Sequence, residues 1–181
     1  MSDAPIAALQ HWHDFYILIG TAAATLVGLT CVAASVGAAI FTEENEKALE
    51  SFLTPTVVHF AAVLFAALLT VAPFTSAAAL GTSLFLVSAT GILYSSAVWL
   101  NVRSANYAAT VILIDRVWYG LAPVFGYGVV ATSSVALALD LSRSLVPLAC
   151  GLGFLMIAGI RNAWDMTVWI VIRTPTPPPR S

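Results

Sequence analysis

The most constraining feature of this sequence is where its charged residues are missing. No Asp, Glu, Lys or Arg occurs between Asp14 and Glu43, and none occurs in the longer stretch from Ser51 to Val102. Two further uncharged stretches follow, at 117–139 and 144–160. A helix that crosses a bilayer needs about 20 mainly apolar residues. The first of the four stretches fits one crossing, and the second is long enough for two.

The composition excludes a soluble globular domain. Hydrophobic residues make up 60% of the chain, charged residues only 9%, and the mean hydropathy is +0.92. A soluble domain carries roughly 25% charged residues, because its surface must be hydrated. The formal net charge is -2 and no basic stripe is present, so an electrostatic nucleic-acid binder is excluded as well. We therefore expect membrane lipids, and no nucleic acid, as partners.

The sequence predicts an all-α fold, a polytopic transmembrane helical bundle that forms a single domain over residues 15–172. Five spans are expected, and four remain the alternative if one weaker segment lies on the membrane. Thr54 and Pro55 fit the N-cap and first residue of the second span. Thr75 or Ser76 is a candidate cap for the third. The predicted spans are 15–41, 55–72, 77–100, 117–139 and 145–170.

The basic residues predict the orientation of the bundle. With five spans and the N-terminus outside, most of the seven basic residues fall on the cytoplasmic side, as the positive-inside rule requires. The segment before Phe15 has no Lys or Arg and so does not fit a signal peptide. Together with the short loops, this leads us to expect a bacterial inner membrane. The cytoplasmic basic residues would be Lys47, Arg103, Arg116, Arg173 and Arg180.

Little of the chain is predicted to lie outside the bilayer. Residues 1–14 would form an outer N-terminal arm, and 43–53 would form a short amphipathic cytoplasmic helix. Residues 173–181 are rich in proline and predict a disordered cytoplasmic tail. The segment 104–118 contains a short apolar run that either lies in the membrane interface or extends the fourth span. The sequence leaves that choice open.

A few polar residues fall within or near the predicted spans. Arg161 and Asp165 are four residues apart and share a helix face, with Asn162 close to it. His59 lies about one turn inside the second span. Ionisable groups in a span are costly and usually pair or line a polar path, so a polar or ion path is one interpretation of these residues. The alternatives are an interfacial ion pair for Arg161 and Asp165, and a histidine hydrogen-bonded to a neighbouring helix.

Signatures of chemistry are sparse. His11, His13 and Asp14 are residue types that bind metals, but residues two apart diverge in a helix, and no further ligand accompanies them. No serine elbow, zinc motif or phosphate loop occurs. The sequence therefore predicts neither an enzyme nor a cofactor.

Small residues recur at helical spacing in two spans. Gly20, Ala24 and Gly28 repeat every four residues in the first span, and Ala149 and Gly153 repeat the spacing in the fifth. Such spacing lets helices approach closely in lipid. We therefore expect a non-enzymatic membrane protein that acts by helix-mediated assembly, with itself or with another membrane protein, as a subunit or modulator of a complex. The alternative is a small homo-oligomeric channel or transporter around the polar residues near the cytoplasmic side.

Overall fold

The computed structural model describes residues 4–38, 43–104 and 117–173, and within these ranges the chain is helical and contains no strand. The helices are α1 (Ala4–Ala38), α2 (Glu43–Val71), α3 (Ala77–Ser104), α4 (Ala122–Ala138) and α5 (Leu145–Arg173). A π-helical turn, Val117–Leu121, leads into α4, and a short 3-10 turn, Ser142–Ser144, leads into α5.

Within the described residues, five helices are long and apolar enough to cross a membrane, which confirms the predicted number. Their apolar segments are close to the predicted spans, and the third agrees residue for residue. The first lies earlier than predicted, since α1 begins at Ala4 and already includes most of the segment expected as an arm. The apolar segments are Ala8–Ser35, Thr54–Val71, Ala77–Leu100, Trp118–Ala138 and Leu145–Asp165.

The start of α2 differs from the prediction. The helix begins at Glu43 and continues through Pro55, so the predicted amphipathic helix and the second span form one element. A proline inside a helix removes one backbone hydrogen bond, which membrane helices tolerate when neighbouring groups satisfy the freed carbonyl. The sequence Thr54-Pro55 therefore fits both a helix start and a proline inside a helix, and it does not distinguish the two. The sequence left open whether 104–118 lies in the membrane interface or extends the fourth span, and almost all of these residues lie outside the described ranges. The last eight residues of the predicted tail also lie outside them.

Short turns connect α2 to α3 and α4 to α5. α2 and α3 are joined by Ala72–Ser76, and Ser76 caps α3 by accepting a hydrogen bond from the Ala79 N–H at 3.5 Å. This confirms Ser76, the second of the two predicted caps. α4 and α5 are joined by the polar hairpin that begins at Asp140, whose φ of 61° is left-handed. The π-helical turn precedes Pro123, whose ring crowds the carbonyl four residues earlier.

The helices form a ring of four with one helix outside it. α3 packs on α4, α4 on α5, and α5 returns to α2, which also touches α3. α1 packs mainly on the outside of α2. Two glycines allow close approach inside the ring: a Cβ on Gly81 would lie 2.6 Å from the Ser134 carbonyl oxygen, and one on Gly159 would lie 2.6 Å from the Phe60 ring.

Candidate functional site

A histidine and a tyrosine meet inside the ring. The Nδ1 atom of His59 on α2 and the hydroxyl of Tyr127 on α4 share a hydrogen bond of 3.0 Å, and each side chain is only 1% exposed. The tautomer of the imidazole decides whether the ring N–H or the phenol O–H donates. In an apolar interior this bond satisfies two polar groups that would each be costly alone.

A second tyrosine and a glycine complete the surroundings of this pair. Tyr94 on α3 lies edge-on to the His59 ring, with centroids 6.5 Å apart. Gly91, one turn earlier on α3, has no side chain, and a methyl group there would overlap the Tyr127 ring. The glycine therefore lets Tyr127 reach across from α4 to α2. We call His59, Tyr94 and Tyr127 the aromatic triad.

An open cleft lies over the triad between α2 and α3. Its volume is about 480 Å³, and Tyr127 and Gly91 form its buried floor. Phe65 and Leu86 stand at its sides and are 54% and 59% exposed. Apart from Thr90 and the two tyrosines, the lining described by the structure is apolar. The lining residues are Val58, Ala62, Phe65, Leu86, Val87, Thr90, Gly91, Tyr94 and Tyr127.

The predicted ion pair is present near the end of α5. The Nε atom of Arg161 lies 3.4 Å from Oδ2 of Asp165, and the two side chains are 39% and 28% exposed. The Arg161 guanidinium also lies 5.4 Å from the centre of the Trp118 ring. A partly exposed pair of this kind contributes about 0–1 kcal/mol to stability. Its geometry fits the alternative of an ion pair within one helix.

Asn162, beside this pair, is placed differently. Its side chain is fully buried, and neither amide atom has a hydrogen-bond partner within the described part of the chain. Its backbone oxygen accepts a 3.0 Å hydrogen bond from the hydroxyl of Tyr119. Buried polar groups in proteins are nearly always paired, so an unpaired amide is a position where a water or an ion would be held favourably.

The structure does not show the four predicted polar residues as one cluster. The contacts described for His59 reach α3 and α4, whereas those of Arg161 and Asp165 lie along α5 and at Trp118. All four residues nevertheless lie in the same half of the bundle, toward the start of the apolar part of α2 and the end of α5.

The possible metal ligands near the N-terminus lie on α1. His11, His13 and Asp14 are all exposed, and successive helical residues point about 100° apart, so His13 is directed away from His11. In the described residues, no group of three or more His, Cys, Asp or Glu side chains is placed to hold a metal ion.

The predicted packing residues divide into two groups. Gly20 approaches α2, where an added Cβ would lie 3.0 Å from that of Ala67, and Ala149 is buried. Ala24 and Gly28 are exposed, and a Cβ on Gly28 or Gly153 would meet none of the described residues within 4 Å. Thus only some of the predicted packing residues of α1 contact another helix in the described part of the chain.

Comparison of the chain with known protein families, with curated proteins and with solved structures finds no match. Sequence reasoning identified His59 but missed Tyr94 and Tyr127. The sequence around Tyr127, Gly126-Tyr127-Gly128, does not by itself indicate a partner for His59. The one available indication was a buried histidine's need for a hydrogen-bond partner on another helix.

Proposed function

We propose that this chain is a non-enzymatic membrane protein that acts by helix-mediated assembly, as a homo-oligomer or as a subunit or modulator of a larger membrane complex. The observation that carries the proposal is the unused space at Gly28. Glycine destabilises a helix by about 1 kcal/mol relative to alanine, and in the described part of the chain nothing lies within 4 Å of a Cβ placed at Gly28. A helix from another chain would use it.

The surface of α1 supports this proposal. Only 22% of its most apolar stretch is buried, against 33% to 56% in the other four spans. Small side chains are exposed around Gly28, beside the larger Ile17 and Val32, which are 46% and 60% exposed. Small faces favour contact between helices, because association in lipid depends on close van der Waals packing. We call this surface the α1 face; its residues are Thr21, Ala24, Gly28, Cys31 and Ser35.

The proposed setting is a bacterial inner membrane, with the N-terminus outside and the C-terminus in the cytoplasm. The distribution of basic residues supports this orientation. Single cysteines at Ser2 and at Ser181, each in a chain without Cys31 and Cys150, would test it with a membrane-impermeant maleimide on intact cells. Labelling of Ser2→Cys alone is expected. Labelling of Ser181→Cys alone would reverse the orientation.

Cys31 offers a direct test of assembly, because it is exposed on the α1 face, while the exposed Cys150 lies on α5. A disulfide forms only when the two Cα atoms approach to about 4.4–6.8 Å. Mild oxidation of membranes should therefore yield a covalent dimer that Cys31→Ser abolishes and Cys150→Ser does not. If the dimer depends on Cys150 instead, the α1 face is not the interface.

Substitution on the α1 face gives a second test. Gly28→Leu fills the proposed contact without a clash inside the chain and should prevent the Cys31 cross-link. The matched control is Ala33→Leu, an exposed position about 140° away around the same helix. If neither variant changes the cross-link or the size of the protein in native membranes, then α1 does not mediate assembly.

A second candidate function is transport through a polar path, and the unpaired amide of Asn162 favours it. The path would run through the half of the bundle that holds His59, Arg161, Asn162 and Asp165. Ion and proton flux in proteoliposomes tests this directly. Transport predicts flux that is lost in Asp165→Asn and His59→Ala while the protein stays folded. Flux no higher than that of empty liposomes would leave assembly as the proposed function.

A further inference from the structure

The cleft between α2 and α3 extends through about one leaflet of a bilayer. Val58, at one end, lies four residues from Thr54, which is roughly 6 Å along the helix. Phe65, at the other end, is eleven residues from Thr54, which is roughly 16 Å. Since the hydrocarbon core is about 30 Å thick, the cleft runs from below the membrane surface to about the midplane.

The polarity of the cleft changes along its length. Tyr94 lies six residues before Leu100, the end of the apolar part of α3, and so near the same surface as Val58. The deeper end is formed by Phe65, Leu86 and Val87. A lipid in a leaflet has the same arrangement, with its polar group near the surface and its chain toward the midplane.

The polar end offers the Tyr94 phenol and no charge. None of the described lining residues is ionised, and the Thr90 hydroxyl already donates to the backbone oxygens of its own helix. Tyr94 remains as the accessible hydrogen-bonding group, because Tyr127 is only 1% exposed and its hydroxyl already shares a hydrogen bond with His59. An ionised head group would be buried here without a counter-charge, which is strongly unfavourable. A neutral group that exchanges hydrogen bonds with a phenol would be accepted.

We propose that this cleft is a binding site for a single-chain amphiphile with a neutral, hydrogen-bonding head group. The head lies at Tyr94, and the chain lies along Phe65, Leu86 and Val87. The volume of about 480 Å³ falls within the usual range for small-molecule sites, which combine an apolar lining with a few placed polar groups. The site does not depend on the α1 face, since its lining comes from α2, α3 and α4.

Photolabelling of the full chain in phosphatidylcholine vesicles tests this proposal. The probe is hexadecanol carrying a diazirine in its chain. We expect saturable labelling of the segment that contains Leu86 and Tyr94, with competition by unmodified hexadecanol. A diazirine-bearing hexadecyl sulfate, which is always charged, should label this segment much less. Equal labelling by the sulfate would overturn the neutral head group.

Two neighbouring alanines of α2 supply the matched variants. Ala62 lines the cleft, whereas Ala61 is exposed and is not part of the lining. Ala62→Phe should fill the cleft and lower the labelling by about tenfold or more, the change that corresponds to 1.4 kcal/mol of binding free energy. Ala61→Phe should leave it unchanged. Labelling that cannot be competed, or that is equal in both variants, would show ordinary contact with bulk lipid and would overturn the site.

Discussion

His59 Nδ1 lies 3.0 Å from the Tyr127 hydroxyl, and this hydrogen bond joins α2 to α4 across the interior of the helical ring. The two residues are 68 positions apart in the sequence. Because both side chains are buried, the loss of either one leaves the other without a partner in an apolar medium.

Tyr127→Phe should lower the free energy of unfolding by about 1–3 kcal/mol, because the His59 nitrogen is then buried without a partner. The control is Tyr16→Phe, since Tyr16 is equally buried and its hydroxyl has no hydrogen-bond partner in the described part of the chain. Reversible unfolding in mixed micelles would measure both variants. A double-mutant cycle with His59→Leu should give a coupling energy of about 0.6–1.7 kcal/mol. A coupling energy of zero would contradict the hydrogen bond.

Gly91→Ala should destabilise the protein by about 1–3 kcal/mol, since the added methyl group overlaps the Tyr127 ring and forces it to move. Gly128→Ala should be neutral or stabilising by up to about 1 kcal/mol, because nothing lies within 4 Å of the added atom and alanine favours the helix. Thermal unfolding in detergent compares the two. Equal effects would mean that Gly91 does not position Tyr127.

Asn162→Leu should raise the free energy of unfolding by about 1–3 kcal/mol, because it removes a buried amide that lacks a partner. The backbone oxygen at this position keeps its hydrogen bond from Tyr119. Asn162→Asp, which buries an acid of similar shape, should be destabilising. If Asn162→Leu is less stable than the natural protein, the amide binds a water or ion that contributes to folding.

Ser76→Ala should destabilise the protein by about 0.5–2 kcal/mol, the usual effect of losing an N-cap, because α3 then loses the acceptor for the Ala79 N–H. Thr75→Ala is the natural comparison, since Thr75 precedes the cap and is exposed. Chemical unfolding of the two variants would distinguish them. A larger effect at Thr75 would place the start of α3 one residue earlier.

The spans could be predicted from the sequence because each is a property of one continuous segment. A run such as 77–100 is long, apolar and uncharged, and the bilayer requires such a run to be a helix whatever its neighbours are. The ends were harder to predict. At Thr54-Pro55 the same two residues fit a helix start and an interior proline, and only the backbone on both sides of the proline distinguishes them.

The candidate site was harder to predict because it depends on pairs of distant residues. The partners of His59 come from α3 and α4, and their approach depends on Gly91, whose importance is visible only once the Tyr127 ring lies against it. The Arg161–Asp165 pair was predictable because both residues lie on one helix, four positions apart. Contacts within a helix follow from spacing, whereas contacts between helices follow from packing.

The close approach of Phe60 to Gly159 also bears on how the protein is made. The ring of helices closes through α2 and α5, and α5 leaves the ribosome after the other four helices. During synthesis Phe60 therefore lacks its contact with Gly159 until α5 arrives, although Tyr127 is available to His59 earlier. A nascent chain interrupted before Gly159 would display an unclosed groove along α2. Such a groove would distinguish chains that lack α5 from chains that contain it.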